Sequence, residues 1–155
     1  MAHDNFFAEG TRFLTPDAFD FVLDSELKRA VRSQSFLTLV VMETSREWDG
    51  MTVDADQGTV AAVGRVVGHE IRDTDLLGSV ENGKLSLALL DADYDNSRKV
   101  IDRLVQRIDN YDFPAPLRIS MGAACYPTHA VDLDSLKQRA VDRPVVNWRG
   151  GPART

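Results

Sequence analysis

Leu76-Leu77-Gly78-Ser79-Val80-Glu81-Asn82-Gly83-Lys84-Leu85-Ser86-Leu87-Ala88-Leu89-Leu90 reads as two strand-like apolar runs joined across an Asn-Gly step. Asn-Gly is the strongest short-range hairpin signal, because both central residues of a type I′ turn need positive φ. Two antiparallel strands therefore sit near the middle of the chain, and the flanking segments must cover them. Upstream, Val60, Val63, Val66, Val67 and Ile71 repeat with helical period between Thr59 and Ile71. Downstream, Val100, Ile101, Leu104, Val105 and Ile108 do the same from about Asn96 to Ile108.

Further out, Phe36-Leu37-Thr38-Leu39-Val40-Val41-Met42 is a short β-rich run expected to be a central strand buried on both faces. Leu117 to Tyr126 reads as another strand. The middle of the chain is thus β-α-β-β-α-β, the ferredoxin-like pattern of an α+β fold, with both helices expected on one face of a four-stranded antiparallel sheet. An N-terminal helix precedes it. Thr15 supplies a capping hydroxyl, Pro16 suits the first helical position and Asp17 faces the helix dipole, before Phe19, Val22, Leu23, Leu27, Ala30 and Val31 at spacings of three and four. Residues 43–58 are polar, with Asp49-Gly50 marking a turn. Leu133, Leu136 and Ala140 suggest a short last helix stopped at Pro144, and Trp148-Arg149-Gly150-Gly151-Pro152 reads as a frayed or linker-like tail. The expected division is an extension over residues 1–13, a domain over 14–143 and a tail over 144–155.

The 155 residues, 43% of them hydrophobic, suit one domain that buries roughly 70% of its unfolded surface. Eighteen Lys and Arg against 24 Asp and Glu give a net charge of −6, which argues against DNA, RNA or an anionic membrane as partner. The single cysteine, Cys125, excludes an internal disulfide framework and a multi-cysteine zinc site. No apolar run approaches the ~20 residues of a membrane span, and Met1-Ala2-His3-Asp4 lacks a signal peptide's basic and apolar regions, so a cytoplasmic location is expected.

The element order, together with particular residues in it, resembles the GGDEF domain of diguanylate cyclases over residues 14–142. Glu26-Leu27-Lys28-Arg29-Ala30 resembles the close of that family's first helix, Leu37 to Met42 the strand before its first metal-binding carboxylate, and Ile119-Ser120-Met121-Gly122-Ala123-Ala124 with Tyr126-Pro127 its Ser-Ile-Gly strand. The resemblance implies enzymes that condense two GTP molecules with metal ions held by strand-end carboxylates. Yet the signature itself is missing. Glu43 takes the first carboxylate position, Gly83 the second, Glu81 and Asn82 replace the two glycines, and Lys84 replaces an acid. Gln57 stands where the family reads guanine with an acid. Glu47-Trp48-Asp49-Gly50-Met51 does not match the family's Phe-Lys-x-x-Asn-Asp segment, and Ala140-Val141-Asp142-Arg143-Pro144 breaks off its last helix. The expectation is no catalytic residue, no metal site and no cofactor.

The family's product-binding site, marked Arg-x-x-Asp shortly before the signature, matches Arg72-Asp73-Thr74-Asp75. By the same resemblance Arg103 is a third contributor and Lys99, one turn earlier, an assisting base. The chemistry suits cyclic di-GMP. A guanidinium can donate two hydrogen bonds to guanine O6 and N7 or stack on the base, an aspartate accepts from the opposite edge, and phosphates favour Lys and Arg.

Simpler readings stand beside these. An Arg-x-x-Asp tetrapeptide is commonly a solvated helix-end pair, and Glu43 on its own is a strand-end acid. His69 is expected to be exposed, His3 and His129 to lie in loops, and Cys125 to pack as a small hydrophobe. Trp48 is unassigned, and Trp148 is a candidate to cover an exposed edge or a partner surface. The sequence reading is an inactive GGDEF-like domain that binds cyclic di-GMP through Arg72, Asp75, Arg103 and Lys99, acting on a partner signalling protein or a second copy of the domain. One alternative is a scaffold for protein contacts that binds no nucleotide. Another is a residual cyclase or GTP-binding regulatory domain using Glu43 and Lys84.

Overall fold

The computed structural model describes residues 13–80 and 83–150. Helix α1 (Pro16–Ser33) is capped as its sequence dictates, the Thr15 hydroxyl accepting from the Ala18 N–H at 3.4 Å, and it ends where Gln34 turns left-handed at φ 55°. The next elements are β1 (Leu37–Trp48), β2 (Met51–Asp54), α2 (Gln57–Glu70), β3 (Leu76–Val80), β4 (Lys84–Leu90), α3 (Tyr94–Asp109), β5 (Leu117–Tyr126), α4 (Leu133–Asp142) and β6 (Pro144–Gly150). The sheet is antiparallel, in the order β3-β4-β1-β5-β6, with β2 on β1. Strands β3, β4, β1 and β5 keep the expected α+β ferredoxin-like arrangement, and β1 lies at the centre.

Alternation along β1 builds two cores. Val40 and Met42 face α2 and α3, where Val60, Val63, Val67, Ile101, Leu104 and Ile108 are buried. Leu37 and Leu39 face the other side, against Phe19, Leu23, Ala30, Leu136 and Ala140 of α1 and α4. Each large side chain so buried contributes roughly 1.5–3 kcal/mol. Both inner helices share one face, as the element order requires.

Three sequence expectations change. First, β1 does not end at Met42: it runs on through the polar stretch to Trp48, turns as expected at Asp49 and Gly50 (φ 52° and 75°), and returns as β2. This edge hairpin is largely exposed, so it carries little apolar alternation to read. Second, Val80 opposes Lys84, so three residues rather than two join β3 to β4. A three-residue loop ends on a left-handed residue, and Gly83 has φ 75°. Third, Pro144–Gly150 is a strand rather than a frayed tail, residues 151–155 of the expected tail lying outside the described residues, and the sheet has six strands rather than four. Strand β6 pairs with β5 from Leu117↔Gly150 to Gly122↔Pro144. Trp148 anchors it, 9% exposed, donating its indole N–H to Asp109 Oδ1 at 3.1 Å and packing on Phe113. Pro144 sits at the start of the strand, where its missing N–H costs no ladder bond.

Candidate functional site

At the hairpin end, register sets Glu43 of β1 directly opposite Lys84 of β4 and Ser120 of β5. Both Glu43 and Lys84 are exposed. Gly83, beside them, is held by its carbonyl, which accepts the Thr44 N–H at 2.8 Å. A Cβ at Gly83 would stand 2.5 Å from the Thr44 carbonyl oxygen, so the position has no room for a side chain as it stands. Glu81 and Asn82 lie outside the described residues. Among the described residues no group of three or more His, Cys, Asp or Glu could hold a metal ion. One carboxylate with an ammonium across the strand does not fit the oxygen cage a divalent cation needs. Gln57 is exposed at the start of α2.

The Arg-x-x-Asp segment forms the corner between α2 and β3. Asp75 is only 6% exposed. Its Oδ1 accepts the Leu90 N–H at 3.0 Å and Arg72 Nη2 at 3.3 Å, while Oδ2 accepts the Arg72 N–H at 3.0 Å and Arg72 Nε at 3.5 Å. Arg72 Nη2 also donates to the Leu90 carbonyl. The carboxylate therefore fastens the corner to the end of β4 and aims the guanidinium. A base-reading role for Asp75 would compete with those four donors.

Arg103 reaches the same place from α3. Its Nη2 donates to the Glu70 carbonyl at 3.2 Å, and Glu70 also pairs with Arg107 at 3.2 Å. Arg72, Asp75 and Arg103 together line a cavity of about 310 Å³, with Glu70, Asp91 and Asn96. The side chains of Arg72 and Arg103 remain 60% and 55% exposed. Lys99 is exposed on α3 outside the cavity lining, which takes Asn96, Val100 and Arg103 from that helix. Glu70 and Asp91 carry no motif, and only the meeting of α2, α3 and the end of β4 brings them in.

The remaining reactive side chains are structural. Cys125 is fully buried, its thiol donating to the Tyr126 carbonyl at 3.2 Å. His129 Nδ1 accepts the Cys125 N–H at 2.9 Å, and its ring meets Tyr94 edge to face at 4.8 Å. Burial first, and then Arg143 and Arg139, hold the His129 imidazole below its ordinary pKa. His69 is exposed, and His3 lies outside the described residues. Among the described residues no helix is long and apolar enough to cross a membrane.

No protein-family model matches the sequence, and no curated protein matches it. Solved structures do match in fold. A DGC (diguanylate cyclase) protein from Thermotoga maritima superposes with a TM-score of 0.72 at 15% identity, over 87% of this chain and 98% of its own. The coiled coil and GGDEF domain of DgcB from Caulobacter crescentus, in complex with c-di-GMP, gives 0.73 at 14% identity, over 91% of this chain and 79% of its own. The diguanylate cyclase SiaD from Pseudomonas aeruginosa, in complex with its activator SiaC, gives 0.69 at 15% identity, over 91% and 59%. The chain has the fold of GGDEF domains.

Proposed function

We propose that this chain is a catalytically inactive GGDEF-type domain that binds cyclic di-GMP as an effector through Arg72 and Arg103. The observation that carries the reading is their convergence, Arg72 from the α2–β3 corner and Arg103 from α3, on one cavity of about 310 Å³, each guanidinium more than half exposed. The complex of DgcB with c-di-GMP on the same fold supports the choice of ligand. Inactivity is supported by the hairpin end, where Gly83 has no acid and Lys84 stands opposite Glu43.

The lining also bears on how such a ligand would bind. Two guanidiniums face three carboxylates, those of Glu70, Asp75 and Asp91. Phosphate is therefore not the group this cavity attracts most. The half-exposed guanidiniums of Arg72 and Arg103 suit guanine O6 and N7, each bidentate contact contributing about 1–3 kcal/mol. Asp75 is then a positioning residue, and Lys99 serves phosphate from outside the cavity.

Calorimetric titration of the chain with cyclic di-GMP tests this. Heat with a micromolar Kd, lost in Arg72→Ala and Arg103→Ala and kept in Glu43→Ala, supports it. Absence of heat at tens of micromolar ligand overturns it in favour of the scaffold reading. That second reading has its own support, since Arg72 and Arg103 are already engaged by Asp75 and Glu70 and SiaD on this fold binds a protein activator. Turnover of GTP with magnesium would overturn the inactive assignment.

A further inference from the structure

The sheet face opposite the Arg72 cavity carries a second hollow, of about 390 Å³, floored by β1, β4 and β5 and walled by α1 and α4. Its origin is local. Helix α4 stops after 10 residues, because Pro144 cannot continue it and opens β6 instead. Beneath it, register flanks Val41 with Ser86 on one side and Gly122 on the other. A Cβ on Gly122 would collide with the Ala140 carbonyl oxygen, so α4 rests on the strand there.

The floor is graded in three cross-strand rows. Ala88, Leu39 and Ala124 lie beneath the helices, Ser86, Val41 and Gly122 come next, and Lys84, Glu43 and Ser120 form the polar end. Phe19, Leu23 and Val141 wall it, and Asp20 and Lys137 tie α1 to α4 alongside, at 2.9 Å. Glu43 and Lys84 make no ion pair with any described residue. The charged lining, Asp20 and Glu43 against Lys84 and Lys137, balances to zero. The size falls within the roughly 300–1,000 Å³ of small-molecule sites.

We propose that this hollow binds a free α-amino acid with a large apolar side chain. Neighbouring strands lie roughly 5 Å apart, so one amino-acid head can offer its ammonium to Glu43 and its carboxylate to Lys84 together. The Ser120 hydroxyl stands beside them as a further donor or acceptor. The apolar side chain then runs inward over Val41, between Phe19, Leu23 and Val141. An anion alone would leave Glu43 unmatched and face repulsion from it. A cation alone would do the same with Lys84. Only a head carrying both charges satisfies the row.

The experiment is a titration of the chain with L-phenylalanine, followed by amide shifts in NMR. Alongside run N-acetyl-L-phenylalanine, which lacks the ammonium, phenethylamine, which lacks the carboxylate, and GTP with magnesium. The expected result is saturation with a Kd of about 10 μM to 1 mM, with shifts centred on Val41, Ser86 and Gly122. Each single-charge analogue should bind at least about tenfold more weakly. Glu43→Gln and Lys84→Met, at exposed positions, should each weaken phenylalanine by about tenfold, whereas Arg72→Ala should leave it unchanged. No saturation at about 10 mM, equal binding of either analogue, indifference to both substitutions, or displacement by GTP would overturn the proposal. Because Arg72→Ala separates the two cavities, failure here leaves the cyclic di-GMP reading to its own test.

Discussion

Thr44 and Gly83 are locked back to back: the Thr44 N–H donates to the Gly83 carbonyl at 2.8 Å, while the Thr44 carbonyl oxygen lies 2.5 Å from where a Cβ on Gly83 would stand. The same Thr44 carbonyl accepts the Ala55 N–H at 3.1 Å, so β2 takes up the edge of β1 that β4 leaves. Gly83 also has φ 75°, a left-handed conformation that side chains adopt at a cost. Gly83→Asp, which puts an acid back at the hairpin, should therefore destabilise the fold by about 2–4 kcal/mol without producing cyclase activity. Thermal melting and a GTP turnover assay check the two halves. A stable variant that makes product would show that the hairpin can reopen.

Asp75 gives a second expectation. Replacing it with Ala strips the Leu90 N–H and the Arg72 guanidinium of their buried acceptor, which should cost about 2–4 kcal/mol. Arg72→Ala, at a side chain 60% exposed, should cost less than about 1 kcal/mol. Urea denaturation of the two variants measures the contrast. Equal losses would mean that the carboxylate is not what holds the corner.

His129 sets a pH dependence. It accepts the Cys125 N–H through Nδ1, and its folded pKa lies below the ordinary 6.5 because of burial, Arg143 and Arg139. The unfolded state then binds the proton more readily, so stability is full above pH 6.5 and falls as pH drops toward and through the folded pKa. The Arg143 guanidinium also lies 5.7 Å over the Tyr94 ring. Urea midpoints at about pH 7.5 and 5.5 should differ in the parent chain, and the difference should shrink in His129→Gln. An unchanged slope in that variant would assign the dependence elsewhere.

Trp148 carries the last strand. Trp148→Ala should cost about 3–5 kcal/mol, since the indole is 9% exposed, packs on Phe113 and donates to Asp109. Trp148→Phe should keep much of the packing and lose the hydrogen bond, for about 1 kcal/mol. A chemical denaturation series on both variants checks the ranking.

What could be read in the sequence follows from where the signals are local. The helical period of Val60, Val63 and Val67 and of Ile101, Leu104 and Ile108, and the Asn82-Gly83 step, placed the elements and the α+β topology. Strand β2 escaped because an exposed edge strand needs no apolar alternation, and β6 because Pro144 and the Gly150-Gly151 pair imitate a terminus. At the site, Arg72 and Asp75 are neighbours by spacing, and Arg103 lines the same cavity from α3. The burial of Asp75 was not legible, since its partner Leu90 lies 15 residues on and meets it only once β4 is laid down. The opposition of Glu43 and Lys84 likewise exists only after the register is set, as does the hollow beneath them.

The central place of β1 has one more consequence, for how the chain comes into being. Leu37 opposes Leu90 on one side and Tyr126 on the other. During synthesis from the N-terminus this central strand therefore emerges before β4 and β5 and waits, both edges bare, for partners made much later. Pairing so distant along the chain closes large loops before any reward, which slows folding and prolongs exposure to aggregation. Helix α1, complete before β1 and laid over Leu39 in the finished fold, is on hand to shield one face of it in the interval.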